Sequence, residues 1–270
     1  MNIKVTKASG VLEPFSEDKI RRSLKRAGTQ PQVIDKILAQ LIGRLHDGIT
    51  TRAIYQQVFA LLNQYQAGQG YQYSLKDALM QLGPSGYPFE KFVARLLDYL
   101  DYQTQTNIIM KGKCIDHEID VIANKDHQQY LIECKFHNRP GTKTRSKDAL
   151  GIQARFEDLS HQFHQAWLIT NTKLTSTAIK YGLCRGIKLL AWRYPGDLGL
   201  ETLIQTNKLH PLTCLTFLNQ QDRRLLYQNN LVLCRDLAPL SDKQLNDLGL
   251  NSQALAQVKQ FFSLPNNIFI

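Results

Sequence analysis

Two apolar segments separated by a short polar one most constrain how this sequence can fold. Residues 116–123 and 130–136 are rich in isoleucine, valine, leucine and aromatic side chains, whereas residues 124–127 are polar. Apolar runs of this length on either side of turn-forming residues are typical of paired strands. The sequence therefore predicts a β-hairpin with its turn at residues 124–127.

Charged side chains occupy one face of this predicted hairpin. Strand side chains alternate between faces, so Glu133 and Lys135 share a face of the second strand. In the first strand, Ile119 and Val121 are expected on one face and Asp120 on the other. Two neighbouring carboxylates suit a hard divalent cation such as Mg2+, and an adjacent lysine can orient water or balance the charge of a phosphate. An ordinary exposed hairpin face carries the same residue types, so the residues alone leave both interpretations open.

The spacing of these charges resembles a known nuclease motif. Asp120, twelve intervening residues and then Glu133-Cys134-Lys135 are similar to the PD-(D/E)xK motif of the Mrr-like restriction endonucleases, with Ile119 where the family has proline. The resemblance implies DNA cleavage that depends on Mg2+ or Mn2+. It implies that Asp120, Glu133 and the backbone carbonyl of Cys134 hold the metal, and that Lys135 positions the attacking water.

The resemblance extends on both sides of the motif, over residues 86–195. Residues 87–90 resemble the family's first helix, in which a glutamate lies beside the catalytic centre. This implies that Glu90 binds a second metal or a metal-bound water, although a solvated helix acid is an equal alternative. Gln153 falls where the family often has a glutamine that supports the site lysine or the metal water.

A basic segment follows the motif. Residues 136–147 contain four lysine or arginine side chains and no acid, and proline and glycine at 140–141 predict a loop. A basic loop that leaves the active strand is well placed to hold backbone phosphates. A mobile, solvated loop is the alternative.

Residues 1–82 predict a separate unit made of a short hairpin and three helices. The pattern of residues 5–7, Gly10, Glu13, Phe15 and 18–20, with residues 47–54 further on, resembles the ATP-cone domain. The resemblance implies binding of ATP or dATP. It implies the following contacts: phosphates at Lys7 and Lys19, base or sugar at Glu13, and further contacts at Thr51 and Tyr55.

Two departures from the ATP-cone pattern affect this expectation. The family usually has an Arg-Asp pair after the first lysine, where this chain has Ala8-Ser9, and a histidine of the third helix is replaced by Tyr55. Loss of the arginine removes a phosphate donor and is expected to change affinity or nucleotide choice. A degenerate cone that packs but binds nothing remains the alternative.

Composition limits the classes of partner and compartment. The chain carries 33 lysine and arginine residues against 23 acids, a net charge of +10, which favours polyanionic partners such as DNA. No apolar segment approaches the roughly 20 residues of a membrane span, and no signal peptide is recognised. The five cysteines are scattered without a C-x-x-C pair, which favours a reducing, cytoplasmic location.

The predicted architecture is α/β in three parts. An ATP-cone at residues 1–82 precedes a restriction-endonuclease-like mixed sheet flanked by helices at 86–205, and a small all-helical domain follows at 206–270. In that last part, Leu248-Gly249-Leu250 resembles a helix-hairpin-helix hinge that holds a DNA phosphate, although such joins are common in packing. Phe261, Phe262, Phe269 and Ile270 are expected to close a core or to form a homo-oligomer contact.

Two other functions fit the same residues. A regulator that responds to ATP or dATP and binds DNA through an inactive nuclease core would keep the domains without the chemistry. Retention of Asp120, Glu133 and Lys135 together argues against that function, because an inactive core need not keep all three. A nuclease that acts on RNA is the other alternative.

Overall fold

The computed structural model describes residues 3–7, 10–65, 70, 73–83, 85–139 and 141–263. The described chain divides into two compact units, one up to Asp77 and the other from Ala78 to Ser263. Ala8, Ser9, Phe269 and Ile270, on which some of the expectations rest, lie outside the described residues. No helix in the described part of the chain is long and apolar enough to cross a membrane.

The first unit consists of a hairpin and helices, as predicted. Strands β1 (Lys4–Thr6) and β2 (Leu12–Pro14) pair antiparallel. The principal helices are α1 (Glu17–Arg26), α2 (Pro31–Ile42) and α3 (Thr51–Tyr65), and their apolar faces meet in one core. Ser16 stands at the start of α1, but its side chain makes no capping hydrogen bond. Helix α4 (Leu75–Met80) spans the boundary between the units.

A five-stranded mixed sheet forms the centre of the second unit. The strands are β3 (Gln103–Lys111), β4 (Asp116–Lys125), β5 (Gln128–Lys135), β7 (Gln165–Thr170) and β9 (Lys188–Leu190), in the spatial order β3-β4-β5-β7-β9. The first two pairings are antiparallel and the last two are parallel. Parallel neighbours need crossover connections, and these are α6 (Ser146–Leu159) and α7 (Ser176–Cys184). Helix α5 (Tyr87–Asp98) contacts β3, β4 and β5.

The predicted turn of the β4–β5 hairpin is shorter in the structure. Strand β4 continues to Lys125, which pairs with Gln128, so only Asp126 and His127 form the turn. Both have positive φ angles, 51° and 61°, as a two-residue type I′ turn requires. The expectation of a four-residue turn at 124–127 is therefore wrong, because Asn124 and Lys125 pair with Gln129 and Gln128 and extend the ladder.

The alternation of side chains along β4 is interrupted at the predicted catalytic acid. Ile119 and Ile122 both belong to the same core cluster, although residues three apart in a regular strand face opposite ways. On β3, Asn107 lies between the partners of Ile119 and Val121 and has a φ of 55°. The expectation of unbroken alternation through Ile119 and Val121 is wrong, and Asp120 stands at the irregularity.

The residues after the sheet form short helices that pack within the second unit. These are α8 (Leu200–Thr206), α9 (Gln220–Gln228), α10 (Cys234–Leu237), α11 (Asp242–Asp247) and α12 (Ser252–Phe262). The two-residue strands β6 (Lys143–Thr144) and β8 (Lys173–Leu174) form a separate parallel pair. Pro211 is followed by a single 3-10 turn, Leu212–Cys214. Ser252 does not cap the last helix, because the side chain of Asn251 accepts the bond from Ala254.

Buried polar contacts join the last helices to α5. The side chain of Asp236 is 2% exposed, and its Oδ1 accepts a hydrogen bond from Arg95 at 2.7 Å. Its Oδ2 accepts hydrogen bonds from the backbone N–H groups of Val232 and Leu233. Phe261 is buried and packs against Phe217, as expected of a core residue. The division between domains at residues 205 and 206 stays a prediction.

Candidate active site

Asp120 and Glu133 stand next to each other on neighbouring strands. The pairing of β4 with β5 reaches Val121 opposite Ile132, and Asp120 and Glu133 are the next residues on each strand. Oδ2 of Asp120 accepts a hydrogen bond from the backbone N–H of Cys134 at 2.7 Å. The register of the hairpin therefore brings the Asp120 carboxylate to the end of β5 that carries the E-x-K residues.

Helix α6 supplies a partner for each of the two charges on β5. Arg155 donates a hydrogen bond to Oε2 of Glu133, and Nζ of Lys135 lies 3.5 Å from Oδ1 of Asp148. Sequence reasoning missed both partners. A signal was present, because residues seven apart, such as Asp148 and Arg155, lie two turns apart on one helix face. The site is thus completed by residues that follow the motif by 13 and 20 positions.

Glu90 joins the same cluster from α5, the helix that contacts β3, β4 and β5. Burial raises the pKa of Glu90 from 4.5 to about 7, and repulsion from Asp120, Glu118 and Glu133 adds to this shift. Burial also raises the pKa of Asp120 from 3.8 to about 6, with Glu133 as the next cause. We call Glu90, Glu118, Asp120 and Glu133 the acidic cluster. Glu118 belongs to it although sequence reasoning gave it no role.

The raised pKa values predict how the stability of the metal-free protein depends on pH. Asp120 faces Glu133 and Glu118, which raise its pKa, and the Cys134 N–H and Arg155, which lower it. Its carboxyl group binds a proton more tightly in the folded chain than in the unfolded chain. Its contribution to stability is therefore complete below pH 3.8 and is lost as the pH rises through about 6.

Asp120→Asn removes this titration. Urea unfolding in EDTA is expected to show that the variant gains stability relative to the wild type as the pH rises from 4 to 7. Asp116→Asn, at an exposed position on the same strand, makes the same change of charge and is expected to show no such gain. If the free energy of unfolding changed with pH in the same way for Asp120→Asn and the wild type, the raised pKa of Asp120 would be contradicted.

The acidic cluster fits a hard divalent cation. The Cys134 N–H bonds one carboxylate oxygen of Asp120, and Arg155 bonds one carboxylate oxygen of Glu133. Carboxylate oxygens are ligands that Mg2+ prefers. Burial, with a smaller contribution from repulsion between the acids, raises the pKa of Glu90 and of Asp120. In the described part of the chain, no three His, Cys, Asp or Glu side chains form a metal-binding group on their own. A cation here therefore needs a further ligand, such as the Cys134 carbonyl, water or a phosphate oxygen.

The described contacts of Gln153 do not include these acids. Its Nε2 donates to Oε1 of Glu157 at 2.9 Å, and its Oε1 is buried without a partner among the described residues. Gln153 lines a small cavity with Arg185, at the start of β7 and β9. The described contacts do not join Gln153 to Lys135, so the support of Lys135 by Gln153 stays a prediction.

The predicted basic loop makes contacts near both of its ends. Backbone groups of His137 exchange two hydrogen bonds with the side chain of Asn171, at 2.9 and 2.8 Å. Further along, Lys143 and Thr144 form β6, which pairs with β8. Pro140 lies outside the described residues. The loop is thus held at both ends, and its phosphate contacts stay predictions.

In the first unit, three of the predicted nucleotide residues lie together. Glu13 forms ion pairs with Lys7 at 2.5 Å and with Lys19 at 3.1 Å. Hydrogen bonds first from Lys7 and then from Lys19 lower the pKa of Glu13. Thr51 begins α3 directly after Thr50, which forms an isolated bridge with β1. The hairpin and the start of α3 are therefore adjacent.

Tyr55 lies one turn further along α3. Its ring stacks on those of Tyr73, at 5.2 Å between centroids, and Phe59, at 6.4 Å. Tyr55, which stands where the family has a histidine, therefore lies among aromatic rings. Its contact with a nucleotide stays a prediction.

Comparison with known families defines the class of protein. Residues 83–192 match the restriction endonuclease family, residues 3–73 match the ATP cone domain, and residues 210–261 match an AF1548-like C-terminal domain. The protein thus combines an ATP cone with a restriction-endonuclease-like domain. Both resemblances and the predicted α/β architecture are confirmed.

Relatives of the chain share much of its sequence. A segment of 167 residues is 41% identical to an uncharacterized protein of Archaeoglobus fulgidus, covering 62% of this chain and 95% of that protein. The crystal structure of AF1548, a protein of unknown function, shares 40% identity over 64% of this chain and 94% of that chain, with a TM-score of 0.59. The chain belongs to the AF1548-like family. Can2 from Sulfobacillus thermosulfidooxidans, solved with cyclic tetra-adenylate, aligns with 15% identity over 75% of this chain and 55% of that chain, but its TM-score of 0.35 is too low to indicate a shared fold.

Proposed function

We propose that this protein is a nucleotide-regulated endonuclease that cleaves DNA phosphodiester bonds with Mg2+ or Mn2+. The observation that carries the proposal is the adjacency of Asp120 and Glu133 at the ends of β4 and β5, where burial and repulsion from Glu133 raise the pKa of Asp120. Lys135 lies two residues beyond Glu133 on β5, beside Asp148. The restriction endonuclease family match over residues 83–192 supports the same reaction. The basic charge of the chain supports a polyanionic substrate.

Each residue has a distinct role in this proposal. Asp120, Glu133 and the Cys134 carbonyl would hold the cation, which supplies positive charge that polarises the scissile phosphate. Lys135 is 39% exposed, so its ammonium group can hold a water and stabilise negative charge that develops on the phosphate oxygens. Asp148 would hold this ammonium at the end of β5, and Arg155 would orient Glu133. Glu90 would contact a second cation or a water beside it.

Incubation of supercoiled DNA with the protein, with and without Mg2+, tests the proposal. Nicked or linear DNA is expected only with the cation, and EDTA is expected to stop its formation. An RNA of matched length tests the alternative substrate in parallel. Absence of metal-dependent cleavage of DNA under all cation and nucleotide conditions would contradict the proposed activity.

The nucleotide site is proposed in the first unit. Lys7 and Lys19 would contact the phosphates of ATP or dATP, and Glu13, Thr51 and Tyr55 would contact the remainder. The support is the Lys7–Glu13–Lys19 cluster together with the ATP cone match over residues 3–73. Binding there would alter cleavage through an allosteric coupling, measured as the change in cleavage rate when ATP or dATP is added.

Lys19→Ala is expected to weaken ATP binding about 10- to 100-fold, because a charge-assisted hydrogen bond contributes roughly 1.5–3 kcal/mol. Isothermal titration calorimetry measures the affinity directly. Lys25→Ala is the matched control, since Lys25 is exposed on the same helix. Equal affinities for Lys19→Ala and Lys25→Ala would show that Lys19 does not contact the nucleotide.

A further inference from the structure

A large open cavity in the second unit has no role in the chemistry described so far. Its volume is about 860 Å3, and it lies between the start of α5, the segment after β5 and helix α9. Six of its lining residues bring cationic, amide or aromatic side chains: Tyr87, Lys91, Asn138, Arg223, Arg224 and Tyr227. We call this cavity the α5–α9 groove. It can hold a ligand of several hundred cubic ångströms, larger than a solvated ion.

The groove is cationic. Lys91, Arg223 and Arg224 line it, and none of its described lining residues is acidic. Arg223 donates twice to the carbonyl of Leu218, which fixes its position in the wall. Arg224 is exposed and makes no hydrogen bond among the described residues, so its guanidinium group remains available to a ligand. This charge pattern favours an anion, and guanidinium groups match phosphate in geometry.

Aromatic surface accompanies the charge. Tyr87 is 46% exposed, and the Lys91 ammonium lies 4.9 Å from its ring centroid. Lys91 also donates to the Tyr227 carbonyl and to the Asn230 side chain, which joins the two walls of the groove. The Tyr227 hydroxyl is buried without a hydrogen-bond partner among the described residues. An aromatic face beside cations is the arrangement that binds unpaired bases and their phosphates.

The groove adjoins the candidate active site along the chain. Tyr87 precedes Glu90 by three residues on α5, a rise of about 4.5 Å along the helix axis. Asn138 follows Lys135 by three residues, at most about 11 Å of extended chain. A strand that lies in the groove therefore approaches the acidic cluster within a few nucleotides.

We infer that the α5–α9 groove binds a single-stranded segment of the DNA substrate beside the cleavage site, with Tyr87 stacking on an unpaired base and Arg224 contacting a backbone phosphate. This inference rests on the proposed nuclease function and narrows its substrate to DNA with an unpaired segment. A fully paired duplex cannot stack a base on Tyr87, because its bases are already stacked on one another.

The test measures binding apart from cleavage, with Asp120→Asn protein and fluorescently labelled 15-nucleotide single strands. Tyr87→Ala in this background is expected to weaken binding about 5- to 150-fold, since stacking contributes roughly 1–3 kcal/mol per base, and Tyr87→Phe is expected to preserve it. Arg224→Ala is expected to flatten the slope of log affinity against log salt by about 0.7. Lys180→Ala, at an exposed position on α7, serves as the matched control.

The inference is overturned if Tyr87→Ala and Arg224→Ala bind the single strand as tightly as Lys180→Ala. It is also overturned if the two substitutions weaken binding of a blunt duplex as much as binding of the single strand. Metal-dependent cleavage by the wild type is assayed in parallel to separate the two proposals. If the groove variants bind the single strand more weakly but the wild type does not cleave DNA, only the nuclease assignment is wrong. Cleavage without groove-dependent binding removes the inferred single-strand site alone.

Discussion

Asp120→Asn is expected to lower metal-dependent cleavage of DNA by about 10^3-fold or more, because it removes a cation ligand and the charge that holds it. Asparagine has the same shape as aspartate and can keep the hydrogen bond from the Cys134 N–H. The raised pKa of Asp120 shows that the folded protein gains nothing from its charge in the metal-free state. The variant should therefore fold, and its loss of activity can be read as a loss of chemistry.

Asp116→Asn is the matched control for this prediction. It makes the same change four residues earlier on β4, at an exposed position outside the acidic cluster. Initial rates on supercoiled DNA, at fixed Mg2+ and with circular dichroism as a check of folding, are expected to be unchanged for the control. Cleavage by Asp120→Asn at the rate of Asp116→Asn would contradict the assignment of the site.

Lys135→Ala is expected to lower cleavage by about 10^2- to 10^3-fold while leaving cation binding intact, since it removes a stabilising donor and not a metal ligand. The ammonium group lies 3.5 Å from Oδ1 of Asp148 on α6. Its removal takes one positive charge from the end of β5 that carries Glu133, so cation affinity should stay equal or increase. This separation of rate from affinity distinguishes Lys135 from Asp120.

Lys180→Ala controls for the loss of one positive charge elsewhere in the second unit. Cleavage rates and thermal melting of the two lysine variants are compared with and without Mg2+. A Lys135→Ala protein that cleaves like Lys180→Ala would leave Lys135 without a role in the reaction. A Lys135→Ala protein that has lost cation binding would instead make it part of the cation site.

The central motif could be predicted from the sequence because its geometry is local. Strand alternation places Glu133 and Lys135 on one face. The register that sets Asp120 across from Glu133 depends on the two-residue turn at Asp126 and His127, which the sequence pattern did not predict. Glu90 could be predicted only through a family resemblance, because its approach to the acids depends on how α5 packs on the sheet.

Other parts of the site depend on tertiary packing that no local pattern encodes. Arg155 and Asp148 meet the strand charges only because α6 crosses back over the sheet. The irregularity at Asp120 arises together with the positive φ of Asn107 on the adjoining strand. Neither Asp120 nor Asn107 interrupts the apolar pattern by which the two strands are recognised in the sequence.

The most direct test of the account is a Mn2+ titration followed by electron paramagnetic resonance, in which free and protein-bound Mn2+ are counted. The wild type, Asp116→Asn and Lys135→Ala are expected to bind the cation with similar affinity. Asp120→Asn and Glu133→Gln are each expected to bind it at least about tenfold more weakly, through loss of a charged ligand. Wild-type affinity in both of these variants would contradict a cation site shared by the two acids.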